Sequence, residues 1–407
     1  MPKETLSLVR KAALKSLFAP EMTLLIAALF LVEFVRGAAL ISFLPIYGKN
    51  ELGLTLDVIG IATTAHFVTD ATVKLFIGYL MHRFHVRALV SGGLLFSLAG
   101  ILMLGYADVP WLFIVACAVY GIGISPIWIV CLTKVGDESR ATQMGALYTI
   151  WLVGLGVGPV VTNFTLEVSH QATYWLLVAA SAIAWLLSLF IPKGSHAEID
   201  FVPFKRQLAM LGDRLKEMKV LLPGMVLQTL GAGMLMPILP SFAGDHLGLS
   251  PSQYSLLLFI GGGCTAASLI PMGKFSDHLG KKWFLVIGFC LFGIALFALT
   301  QAPGLAASLF WACLLGLSYA AVLPAWNALL AAYVPPGQKG LGWGVFSTVE
   351  SVGSLFGPSL GGVLATSFGE PAAVGTAGAI FLVISAFYLL FPFRLFRGEL
   401  SAGDAAR

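Results

Sequence analysis

A chain of 407 residues that is 58% hydrophobic and only 11% charged, with a mean hydropathy of +0.90, has too little polar surface to cover a water-soluble globule. Its formal net charge of +4 is modest, and the cations form no clustered face with interleaved aromatics of the kind that grips nucleic acid. The composition asks for a membrane as solvent, and nucleic acid is not an expected partner.

The first twenty residues carry Lys3, Arg10, Lys11 and Lys15 around Leu6, Leu8, Val9, Leu14, Leu17 and Phe18. That pattern predicts a short amphipathic tail, residues 1–20, lying on the cytoplasmic face. A cleaved signal peptide is not expected, because the span that follows is long and no clear small-residue cleavage site precedes it. Twelve apolar runs of about 18 to 27 residues then recur between Met22 and Phe396, each long enough to cross about 30 Å of hydrocarbon. Six fall in residues 21–192 and six in residues 219–396. Between them, residues 193–218 mix Lys205, Arg206, Asp213, Arg214, Lys216 and Glu217 and read as a cytoplasmic linker, and residues 397–407 read as a cytoplasmic tail.

The two sets of six are copies of one unit. Leu44-Pro45-Ile46-Tyr47 through Leu52-Gly53-Leu54-Thr55 returns as Leu239-Pro240-Ser241-Phe242 through Leu247-Gly248-Leu249-Ser250, and the offset (239 − 44 = 195) still holds at Gly78 and Gly273. Pro126-Ile127-Trp128 is echoed by Pro324-Ala325-Trp326 (324 − 126 = 198) and Gly158-Pro159 by Gly357-Pro358 (357 − 158 = 199). A tandem repeat of about six apolar helices is the mark of a transporter whose halves rock around a midplane site.

Of the 24 lysines and arginines, Arg36 and Lys74 fall inside spans and Lys49 alone lies in an odd-numbered loop. The other 21 (24 − 3) sit in the tails and even-numbered loops, which predicts both termini in the cytoplasm. Cys117, Cys131, Cys264, Cys290 and Cys313 all fall within spans at spacings that match no metal motif, and read as packing residues.

The chemistry is concentrated in the first half. Glu33 and Arg36 stand one turn apart on the first span, while His66, Asp70 and Lys74 repeat at i, i+4, i+8 and share one face of the second. A charge near the bilayer centre costs roughly 2.5 to 3.5 kcal/mol on insertion scales, so such groups face one another or a wet cavity. Asp70 lies about 12 Å, at 1.5 Å per residue, from the cytoplasmic end marked by Gly78. Its protonation is a balance between burial and the nearby Arg36 or Lys74, as a proton-coupled carrier requires. Asp70 and Glu33 are therefore the expected proton carriers, with His66 as a candidate relay. The second half offers Glu350 as its clear intramembrane charge, at the repeat position of Trp151 (350 − 151 = 199), beside neutral Gln228 and Asn327.

A cleft polar on one wall and apolar on the other suits an amphiphile, with its head group against the first half and acyl chains against the second. Trp128 and Trp151, in the fourth and fifth spans, could stack on a sugar ring and donate to its hydroxyls. Plain architecture would also account for several of these residues. Glu33 with Arg36 could be a packing ion pair, the indoles a core or interfacial belt, His66 a neutral bonded histidine, and Lys74 a snorkelling cation. No Gly-rich phosphate loop ending in Lys-Ser or Lys-Thr is present, so ATP is not the expected energy source, and no nucleophile–base arrangement suggests an enzyme.

Gly273-Lys274-Phe275-Ser276-Asp277-His278-Leu279-Gly280-Lys281-Lys282 resembles the loop motif of the major facilitator superfamily between its second and third helices. The first-half copy, Gly78 to Arg87, has His82 in place of the usual Asp and His85 in place of Gly, although Arg83 remains. Gly154-Leu155-Gly156-Val157-Gly158-Pro159 resembles that superfamily's antiporter motif, and Gly353 to Pro358 repeats it. Glu33-Phe34-Val35-Arg36-Gly37, His66 to Ala71, Ser125 to Trp128, Gln143-Met144-Gly145 and Leu323 to Asn327 resemble, more closely, the lipoteichoic-acid glycolipid flippases of Gram-positive bacteria.

The resemblance implies an all-α integral membrane protein with the major facilitator fold, twelve transmembrane helices in two pseudo-symmetric six-helix bundles. It implies proton-coupled antiport of a diglucosyl-diacylglycerol type lipid across the plasma membrane, with membrane lipids as partners, a monomeric state and no cofactor beyond the proton gradient. Glu33, Arg36, Asp70, Trp128 and Trp151 would bind the head group. Gly78, Arg83, Gly273, Asp277, Gly280 and Lys281 would form the gating motif. A proton-coupled multidrug exporter of the same superfamily is the alternative.

Overall fold

The computed structural model describes residues 20–134, 140–192, 220–302, 304–332 and 339–390, and in them every regular element is a helix. The first span runs as Pro20–Gly37, a π-helical turn Ala38–Phe43 and Leu44–Asn50. It is followed by Leu56–Arg83, Val86–Leu104, the pair Pro110–Ile122 and Ser125–Thr133, Arg140–Val168 and His170–Leu189. The seventh span is Leu222–Leu235 with Leu239–Ser241 and a π-helical turn Phe242–His246. Pro251–Leu279, Lys281–Leu299, Leu305–Ala332, Lys339–Phe368 and Glu370–Leu390 complete the twelve.

Among the described residues, nine helices are apolar and long enough to cross a membrane, and the bent seventh span makes a tenth. The other two, Leu56–Arg83 and Lys339–Phe368, carry Asp70 and Glu350 and are 28 and 30 residues long. At 1.5 Å per residue they reach about 42 to 45 Å, more than a bilayer core needs. The protein is an all-α, multi-pass membrane protein.

The chain divides between Pro203 and Phe204 into two compact units. That boundary, the linker expected at 193–218, the segment before Pro20 and the tail 397–407 lie outside the described residues. In the first unit, span one packs on five and six, two on four, and three on four and six. The second unit repeats all five pairings as seven on eleven and twelve, eight on ten, and nine on ten and twelve. The repeat extends to single residues. Gly53 and Gly248, 195 positions apart, both take positive φ (62° and 67°), turning the chain from one span into the next where a side chain would be strained. The copies diverge where Pro237 replaces the equivalent Ser42 (237 − 195 = 42). Lacking an N–H for the helix ladder, Pro237 breaks the seventh span, which bends by 50° between Leu235 and Leu239.

Helix approach in each unit depends on missing side chains. A Cβ at Gly154 would run into the Phe30 carbonyl and the Glu33 Cβ, and one at Gly353 into the Val226 carbonyl and Thr229 hydroxyl. Within each unit the Gly-Pro segment thus lets two backbones touch, span five against span one in the first and span eleven against span seven in the second, as small residues do in membrane bundles. A cation closes each unit at an equivalent point. Arg87 donates through Nε to the carbonyl of Ile191, just past the sixth span, and Lys282 (282 − 87 = 195) donates from Nζ to the carbonyl of Leu389, 3.2 Å away in the last turn of the twelfth. Both positive groups sit where a helix presents unpaired carbonyls and the negative end of its dipole.

Candidate functional site

Span one brings Glu33 and Arg36 to the same face, and the carboxylate, 1% exposed, pairs with the guanidinium at 3.0 Å (Oε2 to Nη2). Arg36 also lies over the Trp151 ring of span five, its Cζ 5.9 Å from the centroid, within reach of a cation–π attraction. Trp151 faces Trp128 of span four at 6.4 Å between centroids, and Trp128 meets the edge of Tyr148 at 5.2 Å. Both indoles are partly exposed, so their faces are not used up by the core.

One turn apart on span two, Asp70 and Lys74 pair at 2.6 Å (Oδ2 to Nζ). Asp70 is 4% exposed, whereas the Lys74 side chain is 41% exposed and so only half withdrawn. The carboxylate has a second partner that sequence reading missed. Span four is interrupted at Gly123, and the Ser125 hydroxyl that opens its nine-residue continuation donates to the Asp70 carboxylate and lies 3.0 Å from the Asp70 carbonyl.

The two pairs form one electrostatic group, since Glu33 interacts with Asp70 and Lys74 as well as with Arg36. Fully ionised, two carboxylates and two cations sum to zero. His66, 0% exposed, does not join this group by a hydrogen bond. Both ring nitrogens lack a partner, the Cys117 backbone lying beside the ring short of hydrogen-bond geometry. Its ring packs instead on Tyr120 at 4.9 Å and on the edge of Phe67 at 5.4 Å. Tyr120, also missed by sequence reading, has a buried hydroxyl without a partner and lines a small cavity with Ser97 and Ser181. An aromatic on an apolar span carries no sequence signal for such a position.

In the second unit the donors to Glu350 among the described residues are neutral. Trp326 Nε1 donates to its Oε1 at 3.2 Å, Gln228 Nε2 reaches the same oxygen at 3.4 Å, and Thr229 donates to its backbone carbonyl at 2.7 Å. Asn327, expected beside Glu350, is not among these donors. It lies on the exposed face of span ten, and the buried neighbour Trp326 takes its place, because one residue along a helix turns the side chain by about 100°. Of the loop motif, Gly78 lies inside span two and Arg83 ends it. A Cβ at Gly273 would come to 3.5 Å from Pro324 of span ten, Asp277 is exposed, Gly280 at φ 95° caps span eight and Lys281 opens span nine. The buried anchor is the neighbouring Lys282.

The model of the Major Facilitator Superfamily matches residues 25–218 and again 221–403. The chain belongs to the major facilitator superfamily. Within it, the chain is 31% identical over 374 residues to the proton-coupled antiporter flippase LtaA of Staphylococcus saprophyticus, covering 90% of this chain and 93% of that one. It is likewise 31% identical over 381 residues to the same-named flippase of Staphylococcus haemolyticus, covering 92% and 95%. Among solved structures, a bacterial homologue of the human lysosomal transporter Spinster superposes with a TM-score of 0.71 at 16% identity, over 91% of this chain and 97% of that one. The nucleoside transporter NupG superposes with 0.68 at 14%, over 94% and 99%. These two likenesses establish the major facilitator fold and nothing about substrate.

Proposed function

We propose that the protein is a proton-coupled antiporter that flips a lipid-linked disaccharide of the diglucosyl-diacylglycerol type across the plasma membrane by alternating access. The observation that carries this reading is the group of two buried carboxylates and their two cation partners in the first unit, neutral when fully ionised, beside two partly exposed indoles. The names of the staphylococcal relatives support it.

A proton added to Asp70 removes the negative charge that holds Lys74 and leaves the group one positive charge in excess. A proton added to Glu33 does the same to Arg36. Either imbalance is costly where water is scarce, and water admitted by opening relieves it, whereas the ionised carboxylates can accept from the hydroxyls of a sugar only until they take a proton. Substrate and proton thus compete for one set of partners, as exchange of one for the other demands. Arg36, Trp151 and Trp128 supply a charged donor and two flat apolar faces, the means by which a hexose is held. Acyl chains are assigned to apolar surface of the second unit, where Glu350 already has neutral partners. The proton gradient is the energy source, no cofactor takes part, the chain is not an enzyme, and it works as a monomer with both termini in the cytoplasm.

The test is translocation of fluorescent diglucosyl-diacylglycerol in proteoliposomes, with and without an imposed pH gradient, for wild type and Asp70→Asn. Gradient-driven flipping in wild type and its loss in the variant is the expected result. Absence of flipping by correctly inserted wild-type protein would refute the substrate, and gradient dependence surviving in Asp70→Asn would refute the role of that carboxylate.

A further inference from the structure

The eighth and tenth spans cross where Gly316 meets Gly261. A Cβ at Gly316 would collide with the Gly261 carbonyl, and Thr265 Oγ1 donates across the crossing to the Gly316 carbonyl at 3.0 Å. One turn along each helix from this contact stand Cys264 and Cys313, both free and both partly exposed, with their sulfurs 3.2 Å apart. Cys117 and Cys131, in contrast, are buried in the core of the first unit.

We propose that Cys264 and Cys313 form a reversible thiol–disulfide site that a hydroperoxide oxidises, cross-linking the eighth and tenth spans. Closing from 3.2 Å to a disulfide bond of about 2.05 Å takes roughly 1 Å of side-chain rotation, with the backbones already held together by the glycine crossing. In the first step one thiol, as its thiolate, attacks a peroxide oxygen and breaks the O–O bond, giving a sulfenic acid and one water from hydrogen peroxide. The second thiol then attacks that sulfur and displaces its hydroxyl as a second water. Two thiols and one hydrogen peroxide become one disulfide and two waters, each sulfur losing one electron and the peroxide gaining two. The cross-link holds the two spans in register, and thiol exchange with a reductant restores the free pair.

The full-length protein, folded in detergent as judged by gel filtration, is treated with hydrogen peroxide or copper(II)–phenanthroline. Free thiols are then alkylated and the unreduced digest is read by mass spectrometry. The expected result is a linked Cys264–Cys313 peptide with loss of two alkylatable thiols, both regained after dithiothreitol. Cys264→Ser should give no linked peptide and leave Cys313 open to alkylation. Failure of both oxidants to link the pair in folded protein overturns the proposal, as does oxidation of each sulfur separately to sulfinic acid or a link only to Cys290 or between molecules. None of these readings depends on what the protein transports.

Discussion

Arg36 does two jobs that substitution can separate. As a charge it neutralises Glu33, which is 1% exposed, and as a plane it covers the Trp151 ring at 5.9 Å. Arg36→Lys keeps the charge but loses the flat guanidinium that stacks on an indole. The cation–π contact is worth about 0.5 to 2 kcal/mol and holds the Trp151 plane in place, so its loss should weaken glycolipid binding by at most roughly 30-fold while flipping stays gradient-driven. Arg36→Gln removes the charge as well. It leaves a buried carboxylate without its ion partner, at a cost of about 3 to 5 kcal/mol unless Glu33 takes a proton permanently, which would withdraw one of the two carboxylates proposed to couple. The assay is initial flipping rate against glycolipid concentration in proteoliposomes, with and without a pH gradient. Arg36→Lys should raise the half-saturating concentration and retain the gradient response, whereas Arg36→Gln should lose that response. If Arg36→Lys abolished gradient dependence as fully as Arg36→Gln, charge alone would not keep Glu33 in play. If Arg36→Lys left half-saturation unchanged, the Trp151 contact would have no part in binding.

Ser125→Ala deprives the Asp70 carboxylate of a charge-assisted hydrogen bond worth about 1.5 to 3 kcal/mol, and should reduce gradient-driven flipping without loss of membrane insertion, measured by the same assay. Glu350→Gln retains an oxygen for Trp326 and Gln228, so near-normal gradient-driven flipping is expected; an uncoupled Glu350→Gln would move the proton site into the second unit. Gly154→Ala should lower thermal stability in detergent because its Cβ meets the Phe30 carbonyl, while Gly156→Ala, with open space around it, should not. Lys282→Met keeps the apolar stem but leaves the Leu389 carbonyl without its donor, a loss of about 1 to 3 kcal/mol readable as a lower unfolding temperature.

The class of protein, the twelve spans and the division into two units were legible in the chain, because burial in lipid imposes length and hydropathy on every span and duplication leaves a countable offset. Helical periodicity likewise set Glu33 beside Arg36 and Asp70 beside Lys74, since residues three or four apart share a face. What periodicity carries no record of is which face of one helix meets which face of another. That Ser125 reaches Asp70 across 55 positions, that Trp326 rather than Asn327 holds Glu350, that Arg87 and Lys282 close helix ends more than a hundred positions away, and that two cysteines touch were decided by packing. Those contacts depend on how closely glycines such as Gly154 and Gly316 let backbones approach and where Gly123 and Pro237 interrupt a span, terms that act between helices rather than along them.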